Sequence, residues 1–373
     1  MSGQHKIEVP DKTRESRQGR NGTIEFWRII FALMIVFCHG KSLSGGKLWF
    51  PSGAIGVEFF FLVSGFLMAK SVDRMPPLAG NTLGRDTLRF MGKKIKALCP
   101  NYFVAWFIAF VFYSVATGKT ALIQLASTFV KSIYELLFLT LSGLMHMRVN
   151  GAVWYLHSML LAMFILYPLL RKHTEFFIHV IAPLTAILLL GYMMKEYGNL
   201  RSPTDWVKWT YKGNIRAVAE LCLGISLYPL AQKLKTLSLT KFSRALIAVV
   251  EHGGYVGLLI CSAMPKATSY DFLFLLFAAL SVMLSFSGQS LTLPLYQNKV
   301  SIWLGEFSLS LYLSHVFYAK YLEKLLPDWS TKRLVVLYFA AAFATALFVM
   351  YVSKGIKALA PKARKHLKRL LVV

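Results

Sequence analysis

Apolar positions in this chain of 373 residues do not alternate with polar ones; they run together in long stretches separated by short basic segments. A hydrocarbon core of about 30 Å is crossed by roughly 17 to 25 helical residues. Ten stretches approach that measure, at roughly 24–40, 53–70, 98–117, 152–170, 176–193, 213–231, 244–263, 270–287, 302–324 and 333–352. The pattern predicts an all-α fold: a polytopic integral membrane protein with about ten transmembrane helices. Residues 1–23 read as a polar tail, 24–352 as the membrane domain and 353–373 as a basic tail. One further run, ALIQLASTFVKSIYELLFLTL at 121–141, is apolar enough to span. Lys131 and Glu135 fall in its middle, four residues apart on one helix face, so it is expected to lie at the outer surface or dip into it.

Composition agrees, with 56% hydrophobic residues and a mean hydropathy of +0.52. The formal charge of +25 invites a nucleic-acid partner, but the charges lie between apolar runs rather than on one soluble face. With the amino end inside, 25 of the 42 Lys and Arg fall on cytoplasmic segments, against 13 outside. That bias sets both termini in the cytoplasm, and the expected setting is a bacterial inner membrane. The basic first 23 residues, followed by many spans, are not expected to be a cleaved signal. Cys38, Cys99, Cys222 and Cys261 lack metal-type spacing and read as small buried hydrophobes. No metal is expected, and nothing in the pattern sets an oligomeric state.

Two ionisable side chains stand in the first apolar stretch, where a charge is costly and usually functional. Arg28 and His39 are eleven residues apart, about three turns plus 20°, so they share one helix face about 16 Å apart along the axis. Glu25 sits one turn before Arg28 and can pair with it. With Trp27 as a belt anchor, the same residues also fit a snorkelling interfacial arginine. The second span returns Glu58 to the depth of His39, where a carboxylate accepting the imidazole N–H would fix its tautomer. His157, Arg216, Glu220 and His315 come to that same outer level. Lipid would not tolerate so many ionisable groups, so they are expected to line an interior cavity. Arg216 and Glu220, one turn apart, fit a structural ion pair better than a catalytic one, with sugar binding left open. Trp154, Tyr155 and Trp206 read as belt aromatics or as sugar-stacking platforms, the belt being favoured.

The run TIEFWRIIFALMIVFCHG followed by GAIGVEFFFLVSGFLM resembles the start of the membrane acyltransferase-3 family, with its Arg-x10-His span and its Ser-Gly-Phe run. VWYLHSMLLAMFILYPLL at 153–170 and LGEFSLSLYLSH at 304–315 resemble two later spans of that family. The resemblance implies transfer of an acyl group, usually acetyl, from cytoplasmic acyl-CoA to an extracytoplasmic acceptor, often a sugar hydroxyl. It implies His39 as the catalytic histidine and Arg28 as its partner toward the donor. It also marks Ser64, Gly65 and Phe66, then Tyr312 and His315. Where the family often has Arg-x-x-Arg leading to Pro-x-Tyr, this chain has Lys93 and Lys96 before Pro100 and Tyr102. Lysine meets phosphate as a point charge without the guanidinium fork.

The resulting expectation is an O-acyltransferase, specifically an O-acetyltransferase, acting on carbohydrate. His39 with Glu58 would carry the chemistry, and Arg28, Lys93 and Lys96 would hold acetyl-CoA. Ser64, His157, Arg216, Glu220, Tyr312 and His315 would meet the saccharide or glycan acceptor, with membrane lipids around the whole. Buried ionisable residues also mark proton-coupled transporters and lipid-linked sugar flippases. The chain shows neither the internal repeats nor the paired broken helices expected of those.

Overall fold

The computed structural model describes residues 19–46, 50–78, 80–144, 149–264 and 270–370, with side chains as far as Ala360. Most of the first expected tail, 1–18, and the last three residues of the second, 371–373, therefore lie outside the described residues. Among the described residues ten helices reach sixteen residues or more: α1 (Gly22–His39), α2 (Val57–Asp73), α3 (Leu83–Ala116), α5 (Trp154–Lys172), α6 (Ala182–Tyr197), α7 (Lys212–Lys235), α8 (Lys241–Ser262), α9 (Tyr270–Ser287), α10 (Lys299–Ser314) and α12 (Thr331–Leu370). Two shorter ones are α4 (Leu122–Lys131) and α11 (Val316–Leu325). The strands described are a two-residue hairpin, β1 (Trp206–Val207) against β2 (Thr210–Tyr211). Eight helices, extended by flanking turns in places, are long and apolar enough to cross a membrane. The other two long ones, α7 and α10, are the helix that carries buried Arg216 and Glu220 and the shortened helix that stops at Ser314.

Local chemistry explains several boundaries. Asn21 caps α1, its side chain accepting from the Ile24 N–H at 3.1 Å, which satisfies one of the free donors of a first turn. The 121–141 run does not span. Its helix α4 is ten residues long, about 15 Å, and breaks at Ser132. Lys131 is exposed, while Glu135 is buried and accepts from the Val149 and Asn150 N–H groups at 2.8 and 2.9 Å. The two charges thus part company at the break instead of sharing a face.

Three expected boundaries shift. The 71–97 segment is not a loop throughout: α3 begins at Leu83, so Arg85, Arg89 and the lysines are helical. The ninth stretch, expected to run unbroken over 302–324, splits at His315 into α10 and α11. The last helix passes 352 and continues to Leu370, so residues 353–360 belong to the bundle rather than to a separate tail.

Helices α2 and α7 form the centre, and glycine sets how closely they approach. A Cβ on Gly65 would lie 2.2 Å from the Leu221 carbonyl oxygen, and one on Gly224 would lie 2.3 Å from that of Leu62. Each helix offers the other a glycine where a backbone must pass. Around this pair lies a single large apolar core containing Phe31, Phe59, Phe61, Phe66, Tyr102 and Tyr167. The beginning of α1 and the later part of α12 lie on the same side: Glu306 at the foot of α10 meets Arg20 at 3.0 Å and Lys354 at 2.9 Å. His39, Glu58 and Arg216 gather at the other end.

Candidate active site

Helix α1 carries the site on its length. Arg28 is half-buried near one end and lines a cavity of about 490 Å3. His39 closes the other end and lines a second cavity of about 110 Å3. The shared face read from the eleven-residue spacing is thus an inward face.

The larger cavity is strongly basic at its mouth. Arg20, Arg28, Lys94, Lys354 and Lys357 line it, with Glu306 as its one carboxylate. Glu25 does not neutralise Arg28 alone. It receives Arg20 through two bonds of 2.9 and 2.7 Å and touches Arg28 only at 3.4 Å. Gly305 makes room for it, since a Cβ there would fall 1.8 Å from Glu25 Oε2. Deeper in, the walls turn apolar and aromatic, with Phe60, Val63, Met159, Leu309 and Tyr155. Ser64 faces this cavity, its Oγ 3.4 Å from the Tyr155 hydroxyl and 3.3 Å from the Met159 sulfur.

The smaller cavity is polar and charged. His39, Glu58, Trp154, Arg201, Arg216, Asp271 and Tyr312 are among its walls. His39 Nδ1 lies 2.9 Å from the Ile35 carbonyl, which can only accept, so Nδ1 carries the proton. The same logic at His315, whose Nδ1 lies 3.2 Å from the Leu311 carbonyl, leaves its Nε2 as an acceptor 3.3 Å from His39 Nδ1. The basic nitrogen of His39 is therefore Nε2, and its Nδ1–H is shared between the Ile35 carbonyl and the longer contact to His315, which together orient the ring. The break between α10 and α11 falls on His315 and presents its fully buried ring at this point.

Glu58 does not take the role expected of it. Its Oε2 is held by Arg216, with no bond to His39. Each nitrogen of Arg216 is engaged, with Nε on Glu220 at 2.8 Å, Nη1 on the Leu200 carbonyl at 2.9 Å and Nη2 on Glu58. Its guanidinium also lies over the Trp154 ring at 5.5 Å. This triad is a buried clamp joining α2, α7 and the loop before the hairpin. Breaking such a clamp from one side strands charge in the interior.

The other expected contacts divide. His157 lines neither cavity. Its Nδ1 accepts from the Thr140 N–H at 3.2 Å, and its Nε2 faces the Tyr102 hydroxyl at 3.0 Å, which in turn donates to the Glu135 carbonyl at 2.5 Å. It is a satisfied core histidine. Lys93 and Lys96 are exposed and line neither cavity; the helical phase of α3 turns Lys94 inward instead. Trp27 is no belt anchor, being buried against Tyr255 at 4.6 Å. Trp154 and Tyr155 are likewise buried, whereas Trp206 is exposed. Sequence reasoning missed Lys94, Arg20, Lys354 and Lys357 on one side, and Arg201 and Asp271 on the other. Arg201 pairs with Asp271 at 3.0 Å. A basic pair three residues apart on the final helix was the available signal for Lys354 and Lys357.

Tyr312 is the one residue common to the two linings among the described residues. Its hydroxyl donates to the Ala152 carbonyl at 2.7 Å. A basic cavity and a histidine cavity thus meet, end to end, across one aromatic side chain.

Fold and site together describe a multi-pass membrane protein with a basic cavity and a histidine-lined cavity that share Tyr312. The chain belongs to the acyltransferase family whose profile, an acyltransferase domain, matches residues 21–354. It is a membrane acyltransferase. No curated protein and no solved structure matches it.

Proposed function

We propose that this acyltransferase moves an acetyl group from cytoplasmic acyl-CoA to a saccharide hydroxyl on the far side of the membrane. The observation that carries the reading is the meeting of the two cavities at Tyr312. Five cations at the mouth of the larger cavity suit the phosphates of CoA, where each charge-assisted contact is worth about 1.5–3 kcal/mol. The apolar interior beyond them suits a pantetheine arm. The smaller cavity, with His39 Nε2 in its wall, suits a hydroxyl donor.

In the reaction so read, the acceptor hydroxyl donates to His39 Nε2 while its oxygen attacks the thioester carbonyl carbon. A C–O bond forms, the C–S bond breaks, and the proton taken by His39 leaves with CoA as its thiol. His315 Nε2, accepting from His39 Nδ1–H, steadies the imidazolium that forms in between. A positioned base of this kind contributes about 10² to 10⁴ in rate. No metal is required by this sequence of steps.

The test uses membrane vesicles from cells that make the full chain, supplied externally with acetyl-CoA labelled in its acetyl group. Inverted vesicles should place label on saccharide and release CoA thiol, whereas right-side-out vesicles should do neither. Labelling in the reverse orientation, or none in either, sinks the proposal.

A further inference from the structure

We propose that Tyr312 is an acceptor-gated septum: it keeps the thioester away from His39 until an acceptor hydroxyl occupies the smaller cavity. The proposal rests on the donor and acceptor reading above and adds the coupling between them.

The geometry makes Tyr312 a partition. It is buried, and it alone belongs to both cavity walls among the described residues. On the larger side it is backed by Tyr155 and Phe60, with ring centroids 5.9 and 6.4 Å away. His39 lines the smaller cavity with it, and the His315 ring, which lines neither cavity, lies 5.9 Å from Tyr312 and next to His39. A donor seated among the cations thus meets this ring before it meets the base.

The chemistry calls for such a partition. A base able to activate a sugar hydroxyl also activates water, and water is the more abundant hydroxyl. Attack by water breaks the same C–S bond, gives acetate and CoA, and wastes the donor. An enzyme avoids this by assembling its reacting groups only when the correct partner is bound.

The gate's latch faces the acceptor side. The Tyr312 hydroxyl is held by the Ala152 carbonyl, and Ala152 itself lines the smaller cavity. An acceptor hydroxyl entering that cavity competes for this carbonyl. Released, the phenol ring can turn aside and join the two chambers. A single neutral hydrogen bond is light enough to be exchanged in this way.

The experiment measures how label from acetyl-labelled acetyl-CoA divides between vesicle saccharide and free acetate. Inverted vesicles carrying the wild-type chain are compared with Tyr312→Phe and Tyr312→Ala. Tyr312→Phe keeps the ring and removes the latch; acetate released per acetyl transferred should rise about two- to tenfold, the range one neutral hydrogen bond supports. Tyr312→Ala removes the septum and should raise the ratio further. The ratio does not depend on how much protein is folded, so a merely structural role leaves it unmoved. Both variants at the wild-type ratio would show Tyr312 to be a fixed wall and overturn the proposal. Wild-type vesicles that neither label saccharide nor release acetate would overturn the underlying reading instead, and the septum with it.

Discussion

His315 Nε2 lies 3.3 Å from His39 Nδ1, across 276 residues of sequence. The contact gives His39, the proposed base, a buried partner that accepts. A carboxylate would stabilise the imidazolium more strongly, but the two in the same cavity wall, Glu58 and Asp271, pair with Arg216 and Arg201.

The order of effects at this pair follows. His39→Ala should lower acetyl transfer by about 10² or more, the loss of a positioned base. His315→Ala should cost less, about tenfold, because Ile35 still holds the His39 Nδ1–H. The check is the initial rate of saccharide labelling, normalised to protein in the membrane. Equal rates for wild type and His39→Ala would remove His39 from the chemistry.

On the donor side the discriminating comparison lies within four residues. Lys94→Ala should raise the apparent KM for acetyl-CoA, as should Arg28→Ala and Lys354→Ala, each by roughly 10- to 100-fold if it loses a charge-assisted phosphate contact. Lys93→Ala and Lys96→Ala should leave KM unchanged, since those side chains are exposed away from the cavity. A donor titration of the five variants decides it. A raised KM for Lys93→Ala with none for Lys94→Ala would return the phosphate contact to the expected spacing.

Much of this was legible in the sequence, and the limit is physical. Helical periodicity gives depth and phase along one helix, so the inward face shared by Arg28 and His39 follows from their spacing alone. Depth also brought His315 and Glu58 to the level of His39. Which of them touches it depends on how helices are arranged around one another, and no local pattern carries that. The phase of Lys93, Lys94 and Lys96 depended on α3 starting at Leu83, well before the apolar run that marks it. Charge bias in the final helix looked like orientation signal, so the cavity role of Lys354 and Lys357 was hidden behind it.

Arg216 should prove a stability residue. Arg216→Ala leaves Glu58 and Glu220 buried without their cation, a cost of about 3–5 kcal/mol. Glu58→Gln keeps an acceptor oxygen for the guanidinium and should cost clearly less. Thermal unfolding of the purified variants in detergent reads both. A well-folded Arg216→Ala protein with a selective loss of transfer would instead make Arg216 part of the acceptor site.

Within the Ser-Gly-Phe run, stability and chemistry should separate by residue. Gly65 lies where α2 crosses α7, and its missing side chain is what lets the Leu221 backbone pass; an added Cβ would sit 2.2 Å from that carbonyl oxygen. Backbone cannot yield as the end of a flexible side chain does, so the helices must move apart. Overpacking of this kind costs about 1–3 kcal/mol. The displacement also pulls Glu58 on α2 away from Arg216 on α7, so the clamp weakens with the packing. Gly65→Ala should therefore lower the unfolding temperature and transfer together. Ser64→Ala removes only two long contacts, to Tyr155 and Met159, and should leave stability within about 0.5 kcal/mol of wild type. Its effect should fall on the donor, whose cavity Ser64 lines. Thermal unfolding beside a donor titration separates the pair, and a stable Gly65→Ala protein would mean that the α2–α7 crossing is looser than the close approach described.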